Sequence, residues 1–185
     1  MNETDFIISL YKYFSRFVPK EVLKKMLIQP EKSRRTGYSE IESELLALPD
    51  TDIIPEFETF VVSINENFIS ERVRNNKDFL LFVEYGKISA EYGTVKGIQE
   101  SLAVTVAHNF SDNNNDNLNE TILMNQCLNL LNKIIRTMYD QQEELDFCPD
   151  RNLITFPIDI QVVDPVSFYG NGGWCAMFNN ANTIL

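Results

Sequence analysis

The sequence predicts an α+β fold in which an antiparallel or mixed β-sheet packs on one long amphipathic helix. Residues 118–144 carry an apolar stripe at helical spacing, which predicts the helix. Residues 154–162 alternate apolar side chains with polar or turn-prone ones, which predicts a strand with one buried face. Helices come first, several strands follow, and the long helix leads into two more strands. This order is typical of layered α+β proteins and not of alternating βαβ units.

The bulk composition indicates a globular chain with a substantial core. It has 185 residues, of which 44% are hydrophobic and 23% are charged, so we expect one domain or one domain with an arm. Uninterrupted apolar runs such as Phe79–Val83 are too short to cross a bilayer. The first residues include Glu3 and Asp5, which are atypical of a secretory signal. We therefore expect an intracellular protein with no membrane partner.

Charge is distributed unevenly along the chain. Residues 1–40 contain 8 Lys and Arg against 5 Asp and Glu, a net of +3, whereas residues 41–185 contain 8 against 22, a net of −14. The acidic body should repel phosphate, which argues against nonspecific nucleic-acid binding. A basic segment joined to an acidic body favours head-to-tail association of copies, although the surface charge is equally compatible with a role in solubility alone.

The N-terminal region is predicted to contain two helices. Asp5–Val18 reads as a helix with an aromatic face, Pro19 interrupts it, and Lys20–Ile28 continues as a short basic helix. The side chains that share the aromatic face are Phe6, Leu10, Tyr13, Phe14 and Phe17.

The following stretch, residues 29–56, contains three prolines and reads as a long connection. Ser39 and Glu42 have the spacing of a capping box, which indicates a short helix inside it. We interpret residues 1–56 as an N-terminal helical arm and linker, and residues 57–185 as the α+β domain.

Three strands are predicted in the first part of the body. Phe57–Ile64, Phe79–Tyr85 and Leu102–Phe110 are rich in aromatic and β-branched residues, which favours strands. Alternate residues of the third strand, from Leu102 onward, should share one apolar face. Residues 65–76 fit either a short helix or an extended hairpin arm.

The second part of the body holds the long helix and two strands. Asn117 is placed to cap a helix over Leu118–Glu144. Pro157 predicts that the strand around it lies at a sheet edge or contains a bulge. Gly170–Gly173 should form a tight turn into a last strand, Trp174–Phe178.

The sequence offers few groups for catalysis. His108 is the single histidine and lies on the apolar face of a predicted strand, so we interpret it as a core or interface residue. Cys127, Cys148 and Cys175 are widely spaced and show no disulfide framework or zinc motif; we expect small buried or half-buried thiols. The glycines at 170–173 lack the GK[ST] of a phosphate-binding loop.

The Asn- and Asp-rich run at residues 112–117 partly matches a calcium loop. Asp112, Asn114 and Asp116 occupy the first, third and fifth places, but Asn117 and Leu123 stand where that loop needs Gly and Glu. A turn leading to a helix cap explains the run better. We therefore expect no enzyme activity, no cofactor and no metal.

Two segments resemble the small neck and tail connector proteins of tailed bacteriophages. They are FETFVVSINENFISERVRNNKDFLLFVEYGKISAEYG, residues 57–93, and IDIQVVDPVSFYGNGGWCAMF, residues 158–178. The chain is similar in particular to ring or tail-terminator-like proteins from phages of Bacteroidales, including the crAss-like group. The resemblance extends over residues 57–185 and consists of strand and turn patterns without catalytic motifs. Residues 1–56 lie outside it.

The resemblance implies a structural role in the virion, which is assembled in the bacterial host cytoplasm. Copies would form a ring between portal or head-side and tail-side components, and an acidic inner surface would let DNA pass without specific binding. The strand edge at Pro157, the arm and the glycine turn would meet neighbouring subunits. The candidate contact residues are Phe14, Phe68, Tyr85, Pro157, Gly172 and Trp174. The alternative function is an acidic, immunity- or inhibitor-like protein that covers a basic target.

Overall fold

A computed structural model describes residues 6–27, 34–63, 72–74, 76–91, 97–110, 116–144 and 158–182. The helices in these ranges that exceed one turn are α1 (Phe6–Ser15), α2 (Lys20–Met26), α3 (Tyr38–Ala47) and α4 (Asn117–Glu144). The strands are β1 (Phe57–Val62), β2 (Phe79–Glu91), β3 (Gly97–Asn109), β4 (Asp159–Val163) and β5 (Asn171–Asn182). Residues 72–74 form a single helical turn, and the rest of the undecided 65–76 stretch, apart from Asn76, lies outside the described residues.

The five strands form one mixed sheet in the order β1-β2-β3-β5-β4. β1 runs parallel to β2, and the other neighbouring strands are antiparallel. The 28-residue helix α4 packs over β3 and β5. The predicted α+β class, with a mixed sheet on a long amphipathic helix, is confirmed. Within the described ranges, no helix is both long and apolar enough to cross a membrane.

One face of the sheet carries the main hydrophobic core. α4 contributes the buried residues of its apolar stripe, and β3 contributes the alternating face that the sequence predicts. The buried members from these two elements are Cys127, Leu131, Ile134, Met138, Leu102, Val104 and Val106. The opposite face holds a smaller cluster in which Phe168 packs against buried residues, namely Val61, Val73, Leu80 and Phe82.

The N-terminal helices belong to the main core. Phe14 and Phe17 of α1 and Leu23 of α2 are buried in the same cluster as α4 and the sheet. The backbone N–H of Ile54 donates to the carbonyl of Phe17 at 2.9 Å, which joins the connection to α1. As far as it is described, the predicted arm is therefore packed against the body, while the division at residue 56 stays a prediction.

Two helix starts differ from the predicted capping residues. α3 begins after Gly37, which has a positive φ of 83° and makes no side-chain cap, so Ser39 lies inside the helix. The cap of α4 is Asp116 and not Asn117, because Asp116 Oδ1 accepts the N–H groups of Leu118 (3.0 Å) and Asn119 (3.3 Å). Where several Asn and Asp residues adjoin, the spacing rule alone does not select the capping residue.

Lys20, the first residue of α2, joins that helix to α3. Its Nζ donates to the carbonyl of Leu46 at 2.7 Å and also to that of Leu48, at the C-terminal end of α3. A cation at this position satisfies carbonyls that the helix leaves unpaired and lies at the negative end of its dipole. Lys12 of α1 and Glu44 of α3 form a further ion pair.

The strand prediction for residues 154–162 is wrong in one respect. β4 lies at the sheet edge, as Pro157 led us to expect, although Pro157 itself lies outside the described residues. Its apolar face is not buried, however: Ile160 is 38% exposed and Val162 is 62% exposed. They lie opposite Ala176 and Trp174 and thus face the α4 side, but α4 packs over β3 and β5.

The close approach of β5 to β3 depends on glycine. A Cβ added to Gly173 would overlap the carbonyl oxygen of Val106 and lie 2.6 Å from the Cα of Ala107. Backbone atoms in a sheet centre cannot move aside without disturbing both strands. Only a residue without a side chain fits this position.

We expect Phe14→Ala to lower the free energy of unfolding by about 3–5 kcal/mol, because it removes a fully buried ring from the main core. Ile7→Ala on the same helix, where the side chain is 43% exposed, should cost less than about 1 kcal/mol. Urea unfolding followed by circular dichroism measures both. Equal losses would contradict the placement of Phe14 in the core.

We expect Gly173→Ala to lower the free energy of unfolding by about 3 kcal/mol or more, since the methyl group would force β3 and β5 apart. Gly170→Ala is the control. Gly170 has a φ of +82° but open space around its Cα, so that change should cost only about 1–2 kcal/mol of backbone strain. The same unfolding experiment compares the two variants, and a milder effect at Gly173 would refute the packing argument.

Candidate protein–protein interface

Strand β4 and the turn after it present an exposed apolar surface. Its apolar side chains are Ile160 and Val162 on the strand and Val166, which is 93% exposed, on the turn. Asp164, which follows the strand, is also exposed, and Asp159 is exposed on the opposite face of the strand. We call these five residues the edge surface. Between residues 158 and 178 the chain has no Lys or Arg, so the surface is apolar with a negative charge.

The turn that carries Val166 is held in a defined conformation. Asp164 Oδ1 accepts the N–H of Val166 at 2.8 Å, and the Asp164 carbonyl accepts the hydroxyl of Ser167 at 2.9 Å. The turn ends at Tyr169 and Gly170, both at positive φ, and the Gly170 N–H donates to the carbonyl of Pro165 at 2.8 Å. Val166 is therefore presented to solvent by a hydrogen-bonded turn.

A buried asparagine fastens this turn to the rest of the fold. The Asn171 side chain is fully buried, and its Nδ2 donates to the carbonyl of Val73 at 3.0 Å and to that of Phe168 at 3.3 Å. Its Oδ1 accepts from Asn76 Nδ2 at 3.2 Å. Because these hydrogen bonds join residues 73–76 to residues 168–171, the turn that precedes β5 is fixed to the rest of the fold.

The second outer strand, β1, borders a cleft of about 360 Å³. Helix α2 forms its other wall. Its lining combines apolar side chains with two cations and one carboxylate, namely Val22, Met26, Phe60, Thr59, Lys25, Arg72 and Glu58. We call this the α2–β1 cleft. It lies at the opposite end of the strand order from the edge surface.

The six residues predicted as subunit contacts do not form one surface. Phe14 is fully buried, and Gly172 is buried against Phe110 and Pro165. Trp174 is half-buried, and its indole N–H donates to the carbonyl of Met124 in α4 at 3.0 Å, so it binds the helix to the sheet. Tyr85 is half-buried in β2. Phe68 and Pro157 lie outside the described residues.

The exposed residues of β4 and its turn were not among those candidates. Pro157 had indicated the strand edge correctly, but the alternating pattern led us to expect its apolar face to be buried. Periodicity shows that a strand has an apolar face, and it contains no information on which element covers that face. The sequence around Val166, which follows Pro165, contains no pattern that would have predicted the exposure of its side chain.

His108 is half-buried between a carboxylate and aromatic rings. Its Nδ1 lies 2.7 Å from the carbonyl oxygen of Asn109, which fits an N–H donor, and its Nε2 lies 3.6 Å from Asp78 Oδ1. The Phe79 ring packs on it edge-to-face at a centroid distance of 4.8 Å. This environment matches the predicted core or interface histidine.

The calcium interpretation of residues 112–117 can be followed only at its end, because 111–115 lie outside the described residues. Asp116 uses its carboxylate to cap α4, as described above. Among the residues that the structure describes, no group of three or more His, Cys, Asp and Glu side chains is arranged to hold a metal ion.

Cys127 and Cys175 are free and buried, on opposite faces of the sheet. Burial raises the pKa of the Cys127 thiol from 9.0 to about 12, and burial likewise raises the pKa of Cys175. Both thiols are therefore held in the protonated, unreactive form at neutral pH. This agrees with the prediction of small buried thiols for these two; Cys148 lies outside the described residues.

Comparisons with family models, with curated proteins and with solved structures found no match to this chain. The resemblance to phage connector proteins therefore stays a prediction.

We expect Cys127 in the native protein to react with iodoacetamide far more slowly at pH 8 than in urea. With the pKa raised from 9.0 to about 12, the thiolate fraction is roughly a thousandfold smaller than in the unfolded chain. Peptide mass spectrometry after timed labelling measures the rate, with Cys175 as a second buried thiol. Native labelling of Cys127 at the unfolded rate would contradict its burial.

Proposed function

We propose that this protein is a structural, non-enzymatic component of a tailed bacteriophage particle, in which copies form a ring in the neck or tail. The ring joins portal or head-side components to tail-side components and leaves a passage for DNA. The observation that carries the proposal is the exposed apolar edge surface on β4 and its turn. The strand and turn patterns at residues 57–93 and 158–178 support the assignment to phage connectors.

The edge surface has the properties of an interface rather than of solvent-facing structure. Outer strands are normally protected from other chains by lysine, bulges or a covering element. β4 instead carries Ile160 and Val162 exposed, and it has no lysine. Burying Val162 against a partner would contribute about 1–2 kcal/mol. Apolar side chains on a strand edge and on a fixed turn are therefore best explained by contact with another protein.

A second copy of the chain is the partner that the charge distribution favours. The edge surface is negative, whereas residues 1–40 carry a net of +3. Complementary surfaces on one chain let copies associate head to tail, and such contacts close into rings when the rotation between copies allows it. The acidic body, with a net of −14 over residues 41–185, suits a channel through which DNA passes without adhering.

The acidic body also keeps a second candidate function open, an immunity- or inhibitor-like protein that covers a basic target. Such a protein would form a tight complex with one copy of that target and would have no need to self-associate. The two functions therefore predict different masses in solution, and sedimentation of the purified chain separates them.

We expect Val162→Lys to weaken self-association by about 30-fold or more, since it removes about 2 kcal/mol of apolar burial and places a charge in the contact. Leu118→Lys is the matched control: Leu118 is similarly exposed, at 69%, but lies on the first turn of α4 and not on the strand edge. Sedimentation equilibrium over a range of concentrations measures both. If the two substitutions changed the association constant equally, the edge surface would not be part of the interface.

The virion role is tested by electron microscopy of the purified protein and by its co-purification with phage particles. Rings with a central opening, together with recovery of the chain in virions, would support the proposal. A chain that stays monomeric at high concentration and is missing from particles would refute it. A tight one-to-one complex with a basic protein would identify the inhibitor function instead.

A further inference from the structure

The α2–β1 cleft carries cationic side chains, which the edge surface lacks. Its apolar lining consists of Met26, which is partly exposed, over the buried side chains of Val22 and Phe60, and Lys25 and Arg72 add positive charge against the single carboxylate of Glu58. Its volume of about 360 Å³ is at the lower end of the range for binding clefts, which suits a few side chains rather than a large ligand.

The charges of the two surfaces are complementary. The cleft is lined by two cations, Lys25 and Arg72, and by one carboxylate, Glu58, so its lining carries a net positive charge. The edge surface carries only aspartates, in a stretch without any cationic side chain. Opposite potentials on two surfaces favour their encounter and disfavour contact of either surface with itself.

The positions of the two surfaces allow one copy to extend the sheet of the next. β1 and β4 are the two outer strands of the sheet. The pairing of successive strands makes β4 antiparallel to β1. If copies stand side by side in the same orientation, β4 of one copy meets β1 of the next as an antiparallel neighbour, the more stable arrangement.

The side chains match on the same side of such a continued sheet. Ile160 and Val162 face the side of the sheet that α4 covers. Val22 of α2 and Phe60 of β1 belong to the core on that same side. An aligned second copy therefore brings the apolar residues of the edge surface toward Met26, which packs against the same core and is partly exposed in the cleft.

We infer that the edge surface of one copy binds the α2–β1 cleft of a second copy, with Ile160 and Val162 against Met26 and the aliphatic part of Lys25, and with Asp164 facing the Lys25 ammonium group. This inference rests on the self-association in the proposed function and adds the receiving surface. Each copy has one edge surface and one cleft, so the contact is head-to-tail and leaves both surfaces engaged in a closed ring.

The test compares Lys25→Glu with Lys24→Glu. Both residues are exposed on α2 and both substitutions change the net charge equally, but only Lys25 lines the cleft. We expect Lys25→Glu to weaken self-association at least tenfold in sedimentation equilibrium, while Lys24→Glu stays within about twofold of the unmodified chain. Circular dichroism confirms that each variant is folded, which is expected for exposed positions.

A mixing experiment tests the head-to-tail arrangement itself. Lys25→Glu leaves the edge surface intact, and Val162→Lys leaves the cleft intact, so an equimolar mixture of the two variants should associate more tightly than either variant alone. An edge-to-edge contact between two β4 strands would instead leave Lys25→Glu fully associated on its own, and this result would overturn the inference while the proposed function stands. A monomeric unmodified chain would refute the proposed function itself.

Discussion

The burial of the N-terminal aromatic residues against the sheet is the constraint on which the rest of the structure depends. Phe14 and Phe17 occupy the same face of the sheet as Leu131 and Ile134 of α4, and all four are fully buried. The apolar area that two phenylalanine rings bury offsets part of the conformational cost of ordering a short helix. Helix α1 is therefore fixed beside α4, and α2, which follows α1 in the chain, packs against β1.

This arrangement determines which part of the sheet is left open. α2 packs against β1 and α4 packs over β3 and β5, so the helical layer lies over the strands from β1 to β5. β4, the last strand in the order, has Ile160 and Val162 on the helical side and both are exposed. The candidate interface thus follows from the extent of the helical layer. A further helix packed over β4 on that side would have turned the same residues into ordinary core.

Much of the fold could be predicted from local patterns. The apolar stripe from Cys127 to Met138 correctly predicted the core face of α4, because helical periodicity over many residues is a strong signal. Pro157 reported the edge position because proline cannot donate a ladder hydrogen bond. The sequence could not show that β1 pairs with β2 in parallel, since the composition of a strand does not indicate its direction relative to its neighbours. The packing of residues 6–27 into the core could not be predicted either. The spacing of the aromatic residues shows that α1 has an apolar face, but it does not show which element covers that face.

The candidate site was harder to predict for the same reason. Trp174 was expected at a subunit contact because large aromatic residues are common in interfaces, yet here its indole N–H binds the Met124 carbonyl inside the chain. Val162 was expected in the core because it alternates correctly. The exposure of a side chain depends on how all helices and strands of the fold pack together. That packing is determined by contacts between residues distant in the chain, which local sequence patterns do not show.

The order of the strands has a consequence for the timing of assembly. β4 is joined to the sheet through β5, and β5 in turn through β3, from which it is separated in sequence by the whole of α4 and β4. Pairings across such distances require closure of a long loop and form slowly. The edge therefore exists only in a chain whose last strand has already docked. A nascent or half-folded polypeptide lacks the β4 edge, so the head-to-tail contact inferred above would be limited to finished subunits.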